Sequence, residues 1–365
     1  MLGPLLALVL AGATAPAGPP LTLAATIPLP GVEGRIDHLS FDAGSSRVFV
    51  AANGNDSVEV VDLNEGKRVA QLKGFPEAQG ALVVAGKSKS GPDRTIVLIS
   101  CGGNGTVRVI DAATLDQLAS LPVGPDADNI RRASPWRSYV GAGSGSNGTL
   151  VAVDHEGGAF KADKPSAIGL GGHPESFAIL STPWTDPPGE SGAHPSHRAD
   201  RAYVNIPTRH EIAVADLSRN EIVAHWPIDA AAANFPIAID RPFQDKAGEI
   251  HARLFVGCRE PAKLLVLDAA TGTLVSSHEC VPDADDIFWE GERLFVIGGG
   301  RGGAGAVDVF GESAEGVLER VTSIPTAPGA RTGCRAVYKD DPALCVAAPR
   351  RGEESARLLV YSLSR

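Results

Sequence analysis

Phe49-Val50-Ala51-Ala52-Asn53-Gly54-Asn55-Asp56-Ser57-Val58-Glu59-Val60-Val61-Asp62 reads as two strands and the turn between them. It opens on an aromatic–Val–small run, breaks at a polar turn holding Gly54, and resumes as an apolar run ending in Asp. β-Branched and aromatic runs bounded by Gly, Asn and Asp are strand signals with turn punctuation. The opening recurs at Leu98-Ile99-Ser100, Tyr139-Val140-Gly141, Tyr203-Val204-Asn205, Phe255-Val256-Gly257, Phe295-Val296-Ile297 and Cys345-Val346-Ala347, spaced 40 to 64 residues apart. The closing run recurs as Val109-Ile110-Asp111, Ala152-Val153-Asp154, Val214-Ala215-Asp216 and Val266-Leu267-Asp268, then drifts to Val309-Phe310-Gly311 and Val360-Tyr361-Ser362. A four-stranded unit needs about that length, and self-similarity at such a period marks a propeller or a solenoid.

In the first unit the remaining strands fall at 37–42, 47–52, 57–62 and 68–72, and the strand-ending Asp is expected to cap the turn that follows it. The seventh unit supplies only three strands before Arg365, while an orphan strand sits at residues 21–29. Pairing the orphan as the fourth strand of the last unit closes a ring and removes a free sheet edge. The expected fold is all-β: a seven-bladed β-propeller of four antiparallel strands per blade, preferred to six or eight blades, its last blade closed by the N-terminal strand.

Strand pairs such as Phe49 to Asp62 resemble the YVTN-type repeats of bacterial exported propellers, the group that includes YncE-like proteins. The resemblance spans essentially the whole chain after its first residues and implies the fold. It implies little chemistry, because propellers host lyases, lactonases, redox subunits and binding modules.

Bulk composition agrees with an all-β chain. There are 42 Gly, 27 Pro and one Met in 365 residues, and no long helical periodicity. A net charge of −10 without clustered Lys and Arg excludes a nucleic-acid partner. Residues 1–17 read as a signal peptide, with an apolar core at 5–11 and Ala15-Pro16-Ala17 as cleavage site, although no Lys or Arg precedes the core. No Cys near that site supports a lipid anchor, and no later apolar run is long enough to span a bilayer. The expected product is a single propeller domain, residues 18–365, periplasmic or secreted. Its five Cys are expected chiefly as small buried side chains, with a Cys334–Cys345 bridge across one hairpin as the alternative.

The innermost strand of each blade lines the axial tunnel, so the starts of first strands share a face with the turns between second and third strands. Polar residues gather there from all seven units: Arg35, Asp37 and His38; Gln79; Asp126, Asp128, Asn129 and Arg131; His173 and Glu175; Asn234; Asp283, Asp285 and Asp286; Arg331 and Thr332. The segments Pro125-Asp126-Ala127-Asp128-Asn129-Ile130 and Pro282-Asp283-Ala284-Asp285-Asp286-Ile287 are acidic copies of one another. The long insertions at 87–93, 183–199 and 244–249 instead decorate the opposite face. Like charges held close shift one another's pKa, a cost offset by a metal, an Arg or a ligand. Asp128, Glu175, Asp285 and Asp286 are therefore candidate ligands for a divalent metal ion, and Asp37, Asn129, Arg131, Asn234, Arg259 and Arg331 candidate ligand-binding residues. Arg209, Arg259, Arg301, Arg350 and Arg351, from neighbouring turns, would form a basic rim above them. These residues point to a binding or accessory module for a small polar ligand or a metal ion at the tunnel mouth, with a protein partner on a propeller face as a further option. The competing reading is a metal-assisted lyase or lactonase acting on a cyclic ester, with His38 or His173 as catalytic base.

Overall fold

The computed structural model describes residues 19–86, 94–182, 198–240, 243–244, 250–290, 292–313 and 317–364. Among them are seven four-stranded antiparallel sheets and one two-stranded hairpin, Phe243–Gln244 with Ile250–His251. Blade 1 runs Leu39–Asp42, Arg47–Ala52, Ser57–Asp62 and Lys67–Lys73. The innermost strands of blades 2 to 7 are Ala78–Gly86, Ile130–Arg132, Phe177–Thr182, Ala232–Ile239, Ala284–Glu290 and Thr332–Tyr338. Successive innermost strands touch, and that of blade 7 touches that of blade 1. The molecule is a closed seven-bladed β-propeller.

Every aromatic–Val run lies in a second strand. These strands are covered on both faces by neighbouring blades, so they are apolar throughout, and Val48 to Ala52 are all buried. Fourth strands form the outer rim and mix polar with apolar residues, as in Lys67–Lys73. The core is correspondingly annular. Seven apolar clusters form, one at each blade interface; that between blades 7 and 1 packs Val48 and Val50 against Cys345, Ala347 and Leu358.

Strand-ending aspartates do cap their turns. One oxygen each of Asp62, Asp111, Asp216 and Asp268 accepts backbone N–H groups two and three residues ahead, at 2.8 to 3.0 Å. Asp154 differs, since it takes a two-point ion pair from Arg137 instead.

Closure follows the expected route. Leu21–Pro28 lies antiparallel to Arg357–Leu363 as the fourth strand of blade 7, with Leu21 opposite Leu363 and Pro28 opposite Arg357. The Ser364 amide donates to the Pro20 carbonyl at 3.1 Å. The leader segment 1–17, the insertion at 87–93, residues 183–197 of that at 183–199 and residues 245–249 of that at 244–249 lie outside the described residues.

The first strand of blade 1 begins at Leu39, two residues later than expected. Asp37 and His38 still bond to Ala51, the Asp37 amide donating at 2.8 Å to its carbonyl and the His38 carbonyl accepting at 3.1 Å from its amide. The His38 amide, however, turns to the Gln79 carbonyl of blade 2 at 3.0 Å and so leaves the ladder. Cys334 and Cys345 sit opposite each other across their hairpin, but all five cysteines are buried free thiols.

Candidate functional site

First-strand starts converge on a polar cavity of about 200 Å³ at one end of the tunnel. Arg35, Asp37, His38, Gln79, Asp126, Asp128, Asn129, His173, Glu175, Asp285 and Arg331 line it, together with Arg259, Ser176 and Phe235. Gly54 helps place Arg35. Its amide donates to the Arg35 carbonyl at 2.8 Å, and a Cβ at Gly54 would lie 2.7 Å from the Arg35 nitrogen. Only glycine permits that approach.

The lining divides into two arcs. In the first, Arg35 pairs with Asp37 and donates to Gln79 Oε1 at 3.0 Å, and Gln79 donates to Asp126 at 3.1 Å. His173 continues it, with Nδ1 at 3.5 Å from Asp126 and Nε2 at 3.6 Å from Glu175. In the second, Arg259 bridges Asp285 at 2.6 Å and Asp283 at 3.5 Å, while its guanidinium stacks 3.6 Å from the Phe235 ring centre. Arg331 Nε closes that arc on Asp285 at 2.8 Å.

His38 ties the arcs together from below, its Nδ1 at 3.4 Å from Asp286 and its Nε2 at 3.7 Å from Asp37. Burial favours the neutral ring, but Asp286, Asp37 and Asp128 outweigh it and carry the imidazole up to about 10. Burial, reinforced by Asp37 and Glu175, pushes the Asp128 carboxyl up to about 8. Asp285 rises to about 6 because burial exceeds the pull of Arg259 and Arg331. The Glu175 carboxylate, with help from the Gly143 carbonyl and Asp126, holds His173 up to about 9.

One trio can hold a cation. Ligand atoms of Asp128, His173 and Glu175 all lie within 4.8 Å of one another, the sole such cluster among the described residues. The Gly143 carbonyl sits 2.7 Å from His173 Nδ1 and accepts from it, which aims Nε2 at the trio in the manner of a metal-ligating imidazole. Beside them the Asn129 side-chain oxygen is buried with no hydrogen-bond partner. A buried acceptor left unsatisfied costs about 1–3 kcal/mol, so a cation or donor group there would relieve a standing penalty.

The structure redistributes several residues grouped by the sequence. Asp128 and Glu175 stay together, but Asp285 and Asp286 lie outside the trio; the first is clamped by two arginines, the second by His38 and the Gly333 amide at 2.9 Å. His173, expected as a catalytic base, instead stands with Asp128 and Glu175, two of the expected metal ligands. Asn234 is fully buried, donating to Asn205 and to the Glu211 carbonyl, and Phe235 lines the mouth from the innermost strand of blade 5 in its place. Arg131 lies farther along the tunnel, beyond the mouth. Of the expected basic rim, Arg209, Arg301 and Arg350 are neutralised by Glu211, Glu260 and Glu33. Phe235 and Ser176 were not singled out by the sequence; their positions at first-strand starts were the available signal.

No family model matches the sequence, and no curated protein matches it. Solved structures share the fold. A chain of the Mitotic Checkpoint Complex superposes with a TM-score of 0.65 at 14% identity, covering 100% of both chains. Hydrazine synthase of Kuenenia stuttgartiensis gives 0.59 at 13% identity, over 87% of this chain and 95% of that one. The β-propeller domain of Cps50 (Swd1) from Myceliophteria thermophila gives 0.58 at 11% identity, over 94% and 100%. Fold and mouth together define a seven-bladed β-propeller with a charged axial cavity. Among the described residues no helix is long and apolar enough to cross a membrane.

Proposed function

We propose that this protein is an exported binding module of the YVTN type, whose tunnel mouth holds a divalent cation together with a small anionic ligand. The convergence of Asp128, His173 and Glu175 beside the unpartnered Asn129 oxygen carries the reading. One imidazole and several oxygens suit Zn²⁺ or Mn²⁺. Arg35, Arg259 and Arg331 surround the trio with guanidinium groups that match carboxylate geometry. A bound cation would bridge such a ligand to the acidic side of the mouth.

Binding is favoured over a lyase that uses His38 as its base by the state of that imidazole. An imidazolium wedged between Asp37 and Asp286 has no lone pair to accept a proton near neutral pH. The apolar leader at residues 5–11 supports export, which fractionation of cells expressing the full chain tests.

Calorimetric titration of chelator-stripped protein with Zn²⁺ and Mn²⁺ tests the site. Saturable one-to-one binding, lost in Asp128→Asn and in His173→Ala, is expected. Protein whose melting temperature and heats ignore both ions overturns the metal half of the proposal.

A further inference from the structure

The tunnel does not end at the mouth. Below it a second, wider chamber of about 480 Å³ opens between the lower halves of the seven innermost strands. His38 and Ser176 line both cavities, so the two meet at these residues. Their chemistry differs. The mouth is almost wholly polar, whereas about half of the lower chamber's surface is apolar, with Phe41, Leu82, Ile239 and Phe288 part-exposed in its wall. A cavity of several hundred Å³ that combines apolar side chains with a few convergent polar groups is what small-molecule sites look like.

Charge on this chamber is one-sided. Arg131, Arg132 and Arg335 reach it, against a single carboxylate, Asp286, which His38 already engages. Arg335 is paired with Glu290, and Arg132 donates to the Ser134 carbonyl. Arg132 is exposed, which leaves Arg131 as the half-buried guanidinium of the three without an ion pair among the described residues. Its guanidinium carries five N–H donors. Among the described residues it forms no ion pair, and its acceptors are the Ile130 carbonyl and Ser176 Oγ, both at 2.9 Å. It stands 5.8 Å from the Phe177 ring centre, so its charge faces an aromatic wall. Burial alone lowers its proton affinity, and only Asp286 and Asp128 act at a distance to restore it. A half-buried cation with unused donors beside apolar side chains is matched by an anion with an apolar body.

We propose that the lower chamber is a second binding site, taking a small organic carboxylate with an aromatic or aliphatic body. The carboxylate meets the free N–H groups of Arg131, and the body lies against the part-exposed side chains of Phe41, Leu82 and Phe288. The site is independent of the cation at the mouth. Ser176, by accepting from Arg131, fixes the guanidinium where the two chambers meet.

The probe is 1-naphthylacetate, with the uncharged 2-(1-naphthyl)ethanol as its partner, titrated calorimetrically into the full chain. Saturable binding of the acid is expected, weakened about tenfold or more in Arg131→Gln, as loss of a charge-assisted contact requires. The alcohol should bind more weakly and be indifferent to that substitution. Leu82→Trp, which narrows the chamber and keeps Arg131, should weaken binding of the acid; it decides the matter if Arg131→Gln fails to fold. Absence of saturable binding, equal affinity in Arg131→Gln, or unchanged affinity in Leu82→Trp each overturns the proposal. So does a loss in Glu175→Gln as large as in Arg131→Gln, which puts the probe in the mouth.

Discussion

His38 of blade 1 stands 3.4 Å from Asp286 of blade 6, and this ion pair passes over blade 7, the neighbour of both, instead of joining adjacent blades. Asp37 flanks the same imidazole at 3.7 Å, so a buried cation is held between two buried carboxylates. Removing one partner of such a group strands the rest, which typically costs about 3–5 kcal/mol. His38→Ala is expected to lower stability on that scale in denaturant titrations at pH 7. A cost below about 1 kcal/mol would show that the pair is solvated.

The same imidazole predicts an alkaline instability. Its folded pKa of about 10 lies above the ordinary histidine value near 6.5. A raised cationic group contributes stability that is fully present below the unfolded pKa and is lost as pH rises through the folded one. His173, raised to about 9, acts in the same window. The melting temperature should therefore fall between pH 7 and pH 10. The stability gap between wild type and His38→Gln should shrink over that range, and a gap independent of pH would contradict the assignment.

Metal affinity at the mouth should rise with pH. Ligation needs Asp128 and His173 deprotonated, and both hold their protons to about 8 and about 9. Titrations in buffers of different ionisation enthalpy should detect proton release on Zn²⁺ binding, with tighter binding at pH 8 than at pH 6. Equal affinity at the two values would move the cation to other ligands.

Away from the tunnel, Glu59 is a structural charge. It is wholly buried in blade 1 and accepts from Arg68 at 2.7 Å, Ser57 at 2.6 Å and Gln71 at 2.9 Å. Arg68→Ala leaves it charged and unpaired, for an expected loss of about 3 kcal/mol. Glu59→Gln in the same background should recover part of that loss, and equilibrium unfolding measures both.

Ring closure can be tested by truncation. Without residues 19–29, blade 7 exposes the edge of Arg357–Leu363, and the buried side chains of Leu21, Ile27 and Leu29 are lost. Protein lacking this strand should melt well below the intact chain and aggregate on concentration, which light scattering follows.

The repeat of aromatic–Val strands, their Asp-capped turns and the closing strand were all legible in the sequence because each depends on residues within one blade or on counting strands. Partner choice was not. Arg35 with Gln79, Gln79 with Asp126, and Arg331 with Asp283 are contacts between blades, some 44 to 48 positions apart. Period and composition carry no record of which neighbour a side chain turns to. Arg131 shows a second limit. It follows Asp128 by three positions, and an extended strand rises about 3.3 Å per residue, so a short step in sequence moved it about 10 Å down the tunnel and into a different chamber. Asn234 went the other way, drawn inward by Asn205 and the Glu211 carbonyl.

The amide of Ser364 and the carbonyl of Pro20 meet within one hydrogen bond, so the outer ends of the first and last strands, Leu21–Pro28 and Arg357–Leu363, are neighbours in blade 7. That makes the molecule a natural subject for circular permutation. Joining these two points and reopening the backbone in the turn between Asp216 and Glu221 keeps every strand pair intact. The seam simply moves, and Glu221–Pro227 becomes the strand that arrives first and waits for blade 4 to be completed by the last residues of the new chain.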